Sequence, residues 1–113
     1  MFCVDFWTLN SVTKFDSYPL ALLEEANSAL HGSKYYSVLD CYGGFLQVGI
    51  KRNTELTGFT VPSGHYEINR LPFGLSNSPA CFERLMEAVL RNLVVTACYV
   101  FLDDVIVYSR SAA

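Results

Sequence analysis

The feature that most constrains the fold is a pair of acids, Asp103 and Asp104, set between two short apolar segments. Residues 98–102 and 105–108 are rich in the aromatic and β-branched side chains that favour strands. Two such segments separated by two polar residues predict a β-hairpin. We expect its turn at residues 102–103 to be tight and strained. Adjacent aspartates are common turn residues, since aspartate tolerates turn geometry and stays solvated there.

A second interpretation of this pair is a carboxylate cluster at the tip of a rigid hairpin. Asp40 is relevant to this interpretation, because this acid ends another segment of strand-forming residues, 35–39. An acid in that position is commonly the N-cap of a following helix. If its strand lay beside the hairpin, three carboxylates would converge and repel one another, which suits a divalent-cation site. The residues alone leave both alternatives open.

Helices are predicted in two places. Residues 20–30 follow Pro19 with apolar side chains on one face, and Gly32 lies where a left-handed stop costs least. The longer helix follows Ser78, which is placed to cap it, and Pro79, which suits the first helical position. Its apolar stripe, expected to pack against a sheet, consists of Phe82, Leu85, Met86, Val89, Leu90 and Leu93.

Further strands are predicted in the middle of the chain. Residues 46–50 alternate between apolar and polar or small side chains, as a half-buried strand does. Residues 57–61 and 66–71 flank a turn segment that contains proline and glycine, so these two segments predict a second hairpin.

The composition restricts the partners of the chain. It has 113 residues, of which 51% are hydrophobic and 17% charged, against about 25% charged in an average soluble domain. So little charge leaves apolar surface exposed, and we expect self-association through exposed apolar faces. The net charge of −3, from 8 basic and 11 acidic residues, excludes a protein that holds nucleic acid by bulk electrostatics alone.

The four cysteines have no CxxC spacing, so free thiols in a reducing compartment are expected rather than a zinc site or disulfides. No basic segment precedes an apolar one near the start, as a signal peptide requires. The longest apolar run, residues 93–102, is far short of the roughly 18 residues of a membrane span. We therefore expect an intracellular protein of the cytoplasm or nucleus that is not secreted and does not bind a membrane.

Longer motifs place Asp40 and the aspartate pair in a wider pattern. These motifs are residues 3–6, residues 37–40 followed by Gly44, Phe45 and Gln47, and then residues 59–67, 71–80 and 101–109. Their order and spacing resemble those of the reverse transcriptase of Ty3/gypsy-type retrotransposons, and the resemblance covers nearly the whole chain. Several motifs in the right order are highly specific, whereas the paired aspartates alone are a weak signal.

The resemblance implies an α+β fold: an antiparallel palm sheet backed by helices, as in right-hand polymerases, with part of the fingers. Residues 1–113 would form a single partial reverse transcriptase domain, without the upstream fingers strand, thumb, connection and ribonuclease H segments. The implied activity is RNA-directed DNA synthesis, and the implied partners in the full-length parent are a template-primer and deoxynucleoside triphosphates.

The resemblance also implies roles for individual acids. Asp40 and Asp103 would bind two Mg²⁺ ions, or Mn²⁺ in their place, and Asp104, the third catalytic acid, would also be a metal ligand. The backbone carbonyl of Cys41 would be a further metal ligand. This agrees with the chemistry of the residues, since magnesium usually binds through one or two carboxylates plus substrate phosphates.

The implied nucleotide-binding residues are Phe45, Phe73 and Gly74. Phe45 matches the aromatic residue that closes the sugar pocket and excludes a 2′-hydroxyl, and the other two would line the incoming nucleotide. The chain also departs from the family pattern, with Trp7 where arginine is usual and Leu56 where lysine is usual. We expect the chain to be inactive alone, because the segments that clamp the triphosphate and form the thumb in this family are absent from it. The alternative is a non-enzymatic palm-fold remnant or co-opted interaction module that binds a partner through its apolar faces.

Overall fold

The computed structural model describes residues 3–19 and 23–112. They form four helices, one 3₁₀ helix (Thr54–Thr57) and five strands. The helices are α1 (Trp7–Val12), α2 (Leu23–Leu30), α3 (Gly44–Gln47) and α4 (Ser78–Val89). The strands are β1 (Tyr35–Asp40), β2 (Phe59–Val61), β3 (Gly64–Tyr66), β4 (Cys98–Phe101) and β5 (Asp104–Ser109). The chain divides into two compact units, one of residues up to 16 with 43–79 and one of residues 17–42 with 80–113.

The second unit contains a three-stranded antiparallel sheet in the order β1-β5-β4. β5 lies in the centre and pairs with β1 from Tyr35↔Ser109 to Asp40↔Asp104. On its other side it pairs with β4 up to Phe101↔Asp104. The hairpin predicted around the aspartate pair is therefore confirmed, and the strand that ends at Asp40 lies beside it.

The core of the second unit lies between α4 and this sheet. Cys98, Val100 and Val105 are each at most 6% exposed. Met86 and Leu90 of the helical segment pack against them. Because these two residues are four apart, they lie on one face of the helix, and that face is the one that the sheet covers.

The predicted apolar stripe of α4 is wider than the face that packs. Phe82 is 3% exposed, but Leu85 is 41%, Val89 69% and Leu93 50% exposed. Leu85 lies about 100° around the helix from Met86, Val89 is the last residue of α4, and Leu93 lies beyond its end. The prediction that the whole stripe is core was therefore wrong for these three residues.

β1 is an edge strand with an exposed surface. All six of its residues are exposed, including Tyr35, Val38 and Leu39. Within the described part of the chain its second hydrogen-bonding edge has no strand partner. An exposed apolar edge strand is a site for self-association.

The first unit contains the second hairpin. β2 pairs with β3 from Phe59↔Tyr66 to Val61↔Gly64, and the Phe59 and Tyr66 rings stack with centroids 5.9 Å apart. This hairpin was predicted, although its strands are shorter than expected. Asn10 fixes a loop of the same unit, because its side-chain amide donates to Gly74 O at 2.7 Å and its carbonyl accepts from Ser76 N at 2.9 Å.

Two local predictions were wrong. Residues 46–50 do not form a strand: Gly43 in left-handed geometry (φ 56°) starts the short helix α3, and only Gly49 bridges Arg70. Ser78 does not cap α4, because the helix includes it and its buried hydroxyl donates to Pro72 O at 2.8 Å. In both cases a tertiary contact or a glycine conformation overrides the local sequence pattern.

Three further predictions concern the start of α2, the state of the cysteines and membrane-spanning segments. The helix predicted over residues 20–30 is observed as α2 from Leu23, and residues 20–22 lie outside the described residues. All four cysteines are free thiols, as predicted. Among the described residues, no helix has the length and hydropathy needed to cross a membrane.

Candidate functional site

The three predicted acids lie together at one end of the three-stranded sheet. Asp40 ends β1 and is the cross-strand partner of Asp104, which begins β5. Asp103 lies in the turn just before, and its carbonyl accepts the Cys41 N–H at 2.9 Å. The sheet therefore brings together acidic residues that are more than sixty positions apart in sequence.

Burial and neighbouring acids both disfavour the charged form of the Asp103 carboxyl. Burial raises the pKa of this carboxyl, and the Asp40 and Asp104 charges raise it further. Its Oδ1 is buried and has no hydrogen-bond partner among the described residues. Burial and the same three carboxylates also raise the pKa of the Cys41 thiol. A group of acids with an unpartnered buried oxygen is an arrangement that a cation would stabilise.

The turn that holds Asp103 is strained, as predicted. Leu102 has φ 52°, in the left-handed region that costs a residue with a side chain about 1–2 kcal/mol. Leu102 and Asp103 are the two residues between the last β4–β5 pair, Phe101↔Asp104. Two-residue hairpins with positive φ at the first position prefer glycine there.

Glu83 on α4 is a residue of this region that the sequence analysis missed. It is 1% exposed, and its Oε2 accepts the Leu102 N–H at 2.8 Å. Burial raises the pKa of this carboxyl, the Leu102 hydrogen bond lowers it, and the Glu87 charge raises it. Along the sequence Glu83 looks the same as Glu87, an acid on a solvated helix face. No sequence signal distinguishes the two.

The donor chemistry of the cluster fits magnesium in one particular way. Within residues 3–19 and 23–112, no three histidine, cysteine or acidic side chains are arranged as a complete metal-binding set. Magnesium does not need one, because it usually binds through one or two carboxylates and takes its other ligands from water and substrate phosphates. Asp40 and Asp103 carry carboxylate oxygens of this type, and the buried Oδ1 of Asp103 has no hydrogen-bond partner among the described residues.

The predicted nucleotide-binding residues lie in the first unit. The rings of Phe45 and Phe73 are in contact, with centroids 5.2 Å apart and planes tilted by 32°. Gly74 follows with φ 95°, and a Cβ there would lie 3.6 Å from the Phe6 ring. Phe73 also lines an apolar groove of about 390 Å³ with Phe59 and Tyr66. The structure thus places these three residues together, and the acids together in the second unit.

Comparison with known proteins identifies the family. The reverse transcriptase (RNA-dependent DNA polymerase) family matches residues 1–113. The chain is 42% identical over 108 residues to the Retrovirus-related Pol polyprotein from transposon opus of Drosophila melanogaster, covering 95% of this chain and 11% of that protein. It is 38% identical over 109 residues to the corresponding polyprotein from transposon gypsy of the same organism, covering 96% of this chain and 10% of that protein.

A plant virus protein and a solved structure give the same result. The chain is 38% identical over 109 residues to the enzymatic polyprotein of Cauliflower mosaic virus (strain NY8153), covering 96% of this chain and 16% of that protein. The foamy viral protease-reverse transcriptase, solved in complex with an RNA/DNA hybrid, superposes with a TM-score of 0.83 at 25% identity, over 96% of this chain and 15% of that one. With its antiparallel sheets and helices, the α+β fold expected of a polymerase palm, the chain belongs to the reverse transcriptase family.

Proposed function

We propose that this chain is the catalytic palm portion of a retrotransposon RNA-directed DNA polymerase. The observation that carries the proposal is the convergence of Asp40, Asp103 and Asp104 at one sheet end, where a buried oxygen of Asp103 has no hydrogen-bond partner within residues 3–19 and 23–112. A cluster of mutually repelling acids destabilises a fold unless a bound cation offsets the repulsion. Nucleotidyl transfer assisted by divalent cations is a reaction that needs oxygen ligands and few other groups.

In this proposal the acids bind metal. Asp40 and Asp103 would hold two Mg²⁺ ions, or Mn²⁺ in their place, with Asp104 as the third acid and the Cys41 carbonyl as a further ligand. When bound, such ions activate the primer 3′-oxygen and neutralise charge on the triphosphate. The pairing of Asp40 with Asp104 across β1 and β5 supports this assignment, because it holds the backbones of the two acids side by side.

The aromatic residues of the first unit would select the nucleotide. Phe45 would exclude a 2′-hydroxyl, and its contact with Phe73 would keep its ring in one orientation. Gly74 would let the backbone approach the incoming nucleotide, since it has no side chain. The substrates would be deoxynucleoside triphosphates and a template-primer inside the cell. The nucleic acid named for the foamy virus structure, an RNA/DNA hybrid, supports that choice.

The chain spans about a tenth of the transposon polyproteins that it matches. Polymerisation requires template, primer and triphosphate to be held in reactive geometry, and loss of that positioning is costly. We therefore propose that residues 1–113 form a single partial domain that has no measurable polymerase activity by itself. The rest of a polyprotein of this type would supply the contacts that hold the nucleic acid.

The experiment that tests the function replaces the matching segment of the opus polyprotein with this chain. Primer extension on an RNA template should require Mg²⁺, and Asp103→Asn should reduce the rate by at least about a thousandfold. Asp5→Asn is the matched control, because asparagine keeps the oxygen that accepts the Trp7 N–H. Full extension by the Asp103→Asn protein would refute the proposal, as would extension without a divalent cation.

A second candidate is a non-enzymatic interaction module. The exposed apolar surface of β1 favours it, since Val38 is 65% and Leu39 55% exposed. A module of this kind needs no metal. Divalent-cation binding that depends on Asp103 therefore distinguishes the two candidates.

A further inference from the structure

Glu83 requires a physical explanation, because burying a carboxylate costs free energy unless it is hydrogen-bonded. It is 1% exposed, whereas its neighbour Arg84 is exposed. One carboxylate oxygen, Oε2, accepts the Leu102 N–H at 2.8 Å. The other, Oε1, is buried and has no hydrogen-bond partner in the described part of the chain. The costly burial of Glu83 therefore places its carboxylate against the backbone of the strained turn.

We propose that Glu83 is a positioning residue for the carboxylate site. Its hydrogen bond to Leu102 holds the turn in left-handed geometry, and this fixes the Asp103 and Asp104 carboxylates relative to Asp40. The inference rests on the proposed function, because the exact positions of these acids matter only if they bind metal together.

The first argument is the conformation of the turn. A hairpin turn with positive φ at its first position is favourable for glycine, and this chain has leucine there. Leu102 lies in the turn, beyond the last pair of the β4–β5 ladder, Phe101↔Asp104. The carboxylate of Glu83 is the acceptor that the structure gives its N–H. Without that acceptor the turn would lose the contact that offsets its strain.

The second argument is that Glu83 is itself held rigidly. Met86 of α4 and Leu90, the residue just after its end, pack against Cys98, Val100 and Val105 of the two strands that the turn connects. The acceptor and the turn are therefore attached to the same packed core. A hydrogen bond between two fixed groups specifies a geometry, whereas one between mobile groups does not.

The role requires an acceptor oxygen and not a charge. Glutamine has the same carbonyl oxygen at the same distance from the backbone, and burial already favours the uncharged form of the Glu83 carboxyl. Leucine is similar in size and has no acceptor. Glu83→Gln should therefore preserve the turn, and Glu83→Leu should release it.

The experiment measures two quantities on the 113-residue chain: hydrogen exchange of the Leu102 amide by NMR, and Mn²⁺ affinity by electron paramagnetic resonance. Glu83→Leu should speed Leu102 exchange at least about tenfold and weaken Mn²⁺ binding by about 10-fold or more, as loss of a supporting contact typically does. Glu83→Gln should change both by less than about threefold. Glu87→Leu is the matched control on the same helix and should leave both unchanged.

A double variant distinguishes positioning from a general loss of packing. Glycine adopts left-handed geometry without support, so Leu102→Gly combined with Glu83→Leu should restore Mn²⁺ affinity to within about threefold of the unsubstituted chain. If Glu83→Leu alone does not fold, the double variant still allows Mn²⁺ affinity to be measured. Failure of this rescue, or unchanged Leu102 exchange in Glu83→Leu, would overturn the inference. An unsubstituted chain that binds no Mn²⁺ refutes the proposed metal site instead, and Leu102 exchange still tests the turn.

Discussion

At the scale of single residues, Asp103 is the proposed metal ligand whose position also lowers the stability of the fold. Its Oδ1 is buried without a partner among the described residues, and two neighbouring acids repel it. Without divalent cations, Asp103→Asn should therefore raise the free energy of unfolding, by up to about 1 kcal/mol. Urea denaturation in the presence of a chelator measures this change.

In the presence of Mg²⁺, the unsubstituted chain should be more stable than Asp103→Asn, the reverse of the order expected without divalent cations. A ligand that binds only the folded state stabilises it as its concentration exceeds the dissociation constant. The unsubstituted chain should therefore gain stability from Mg²⁺, and Asp103→Asn should gain none. A stabilisation by Mg²⁺ that is equal in both proteins would contradict the assignment of Asp103 as a ligand.

Gly74 gives a prediction for the first unit. Its φ of 95° strains any residue with a side chain, and a Cβ would contact the Phe6 ring at 3.6 Å. Gly74→Ala should therefore lower the free energy of unfolding by about 1–2 kcal/mol. Gly49→Ala is the matched control, because Gly49 has no positive φ and its nearest neighbour is Arg70 Nη1 at 4.0 Å. Equal losses in the two variants would show that backbone strain is not the cause.

At the scale of elements, α4 tests which of its apolar residues form the core. Phe82→Ala should cost about 3–5 kcal/mol of stability, since this ring is 3% exposed. Val89→Ala should change stability by less than about 0.5 kcal/mol, because Val89 is 69% exposed. Thermal unfolding followed by circular dichroism compares them. A large loss in Val89→Ala would mean that a partner or a second copy covers this face.

Most elements could be predicted from the sequence because their signals are local. The β4–β5 hairpin follows from apolar segments around two acids, and β1 from a run of strand-forming residues that ends at Asp40. The convergence of the acids was one of two open alternatives at the level of sequence, since the pairing of β1 with β5 is a long-range contact. Glu83 could not be found at all, because its burial depends on where the turn at Leu102 lies.

The two wrong local predictions have the same cause as the missed Glu83, because features outside the local sequence pattern determined the structure. An alternating pattern at residues 46–50 predicted a strand, but Gly43 in left-handed geometry starts a helix just before it. A serine before proline predicted a cap, but the Ser78 hydroxyl contacts Pro72 instead. Short patterns do not specify which distant backbone atoms will be within reach.

At the scale of the whole molecule, the low charge and the exposed edge strand predict self-association. Leu39 is 55% exposed on β1, and a charge there should oppose pairing of two edges. Sedimentation velocity under reducing conditions should therefore show reversible dimers or larger species, and Leu39→Lys should shift them towards monomer. Leu56→Lys is the matched control, at 56% exposure in the first unit. A monodisperse monomer at tens of micromolar would contradict this prediction and favour an independent module.

The pairing of Asp40 with Asp104 has a consequence for synthesis on the ribosome. These partners are 64 positions apart (104 − 40), so β1 emerges long before the strand that it pairs with. At about 5–20 residues per second, the interval is roughly 3–13 s. During that time the apolar residues of β1 have no sheet to join, and we predict that nascent chains stalled before residue 98 bind chaperones and are cut by protease near β1. Chains stalled after β5 has left the exit tunnel should be protected there, and equal cleavage at both lengths would show that β1 is shielded in some other way.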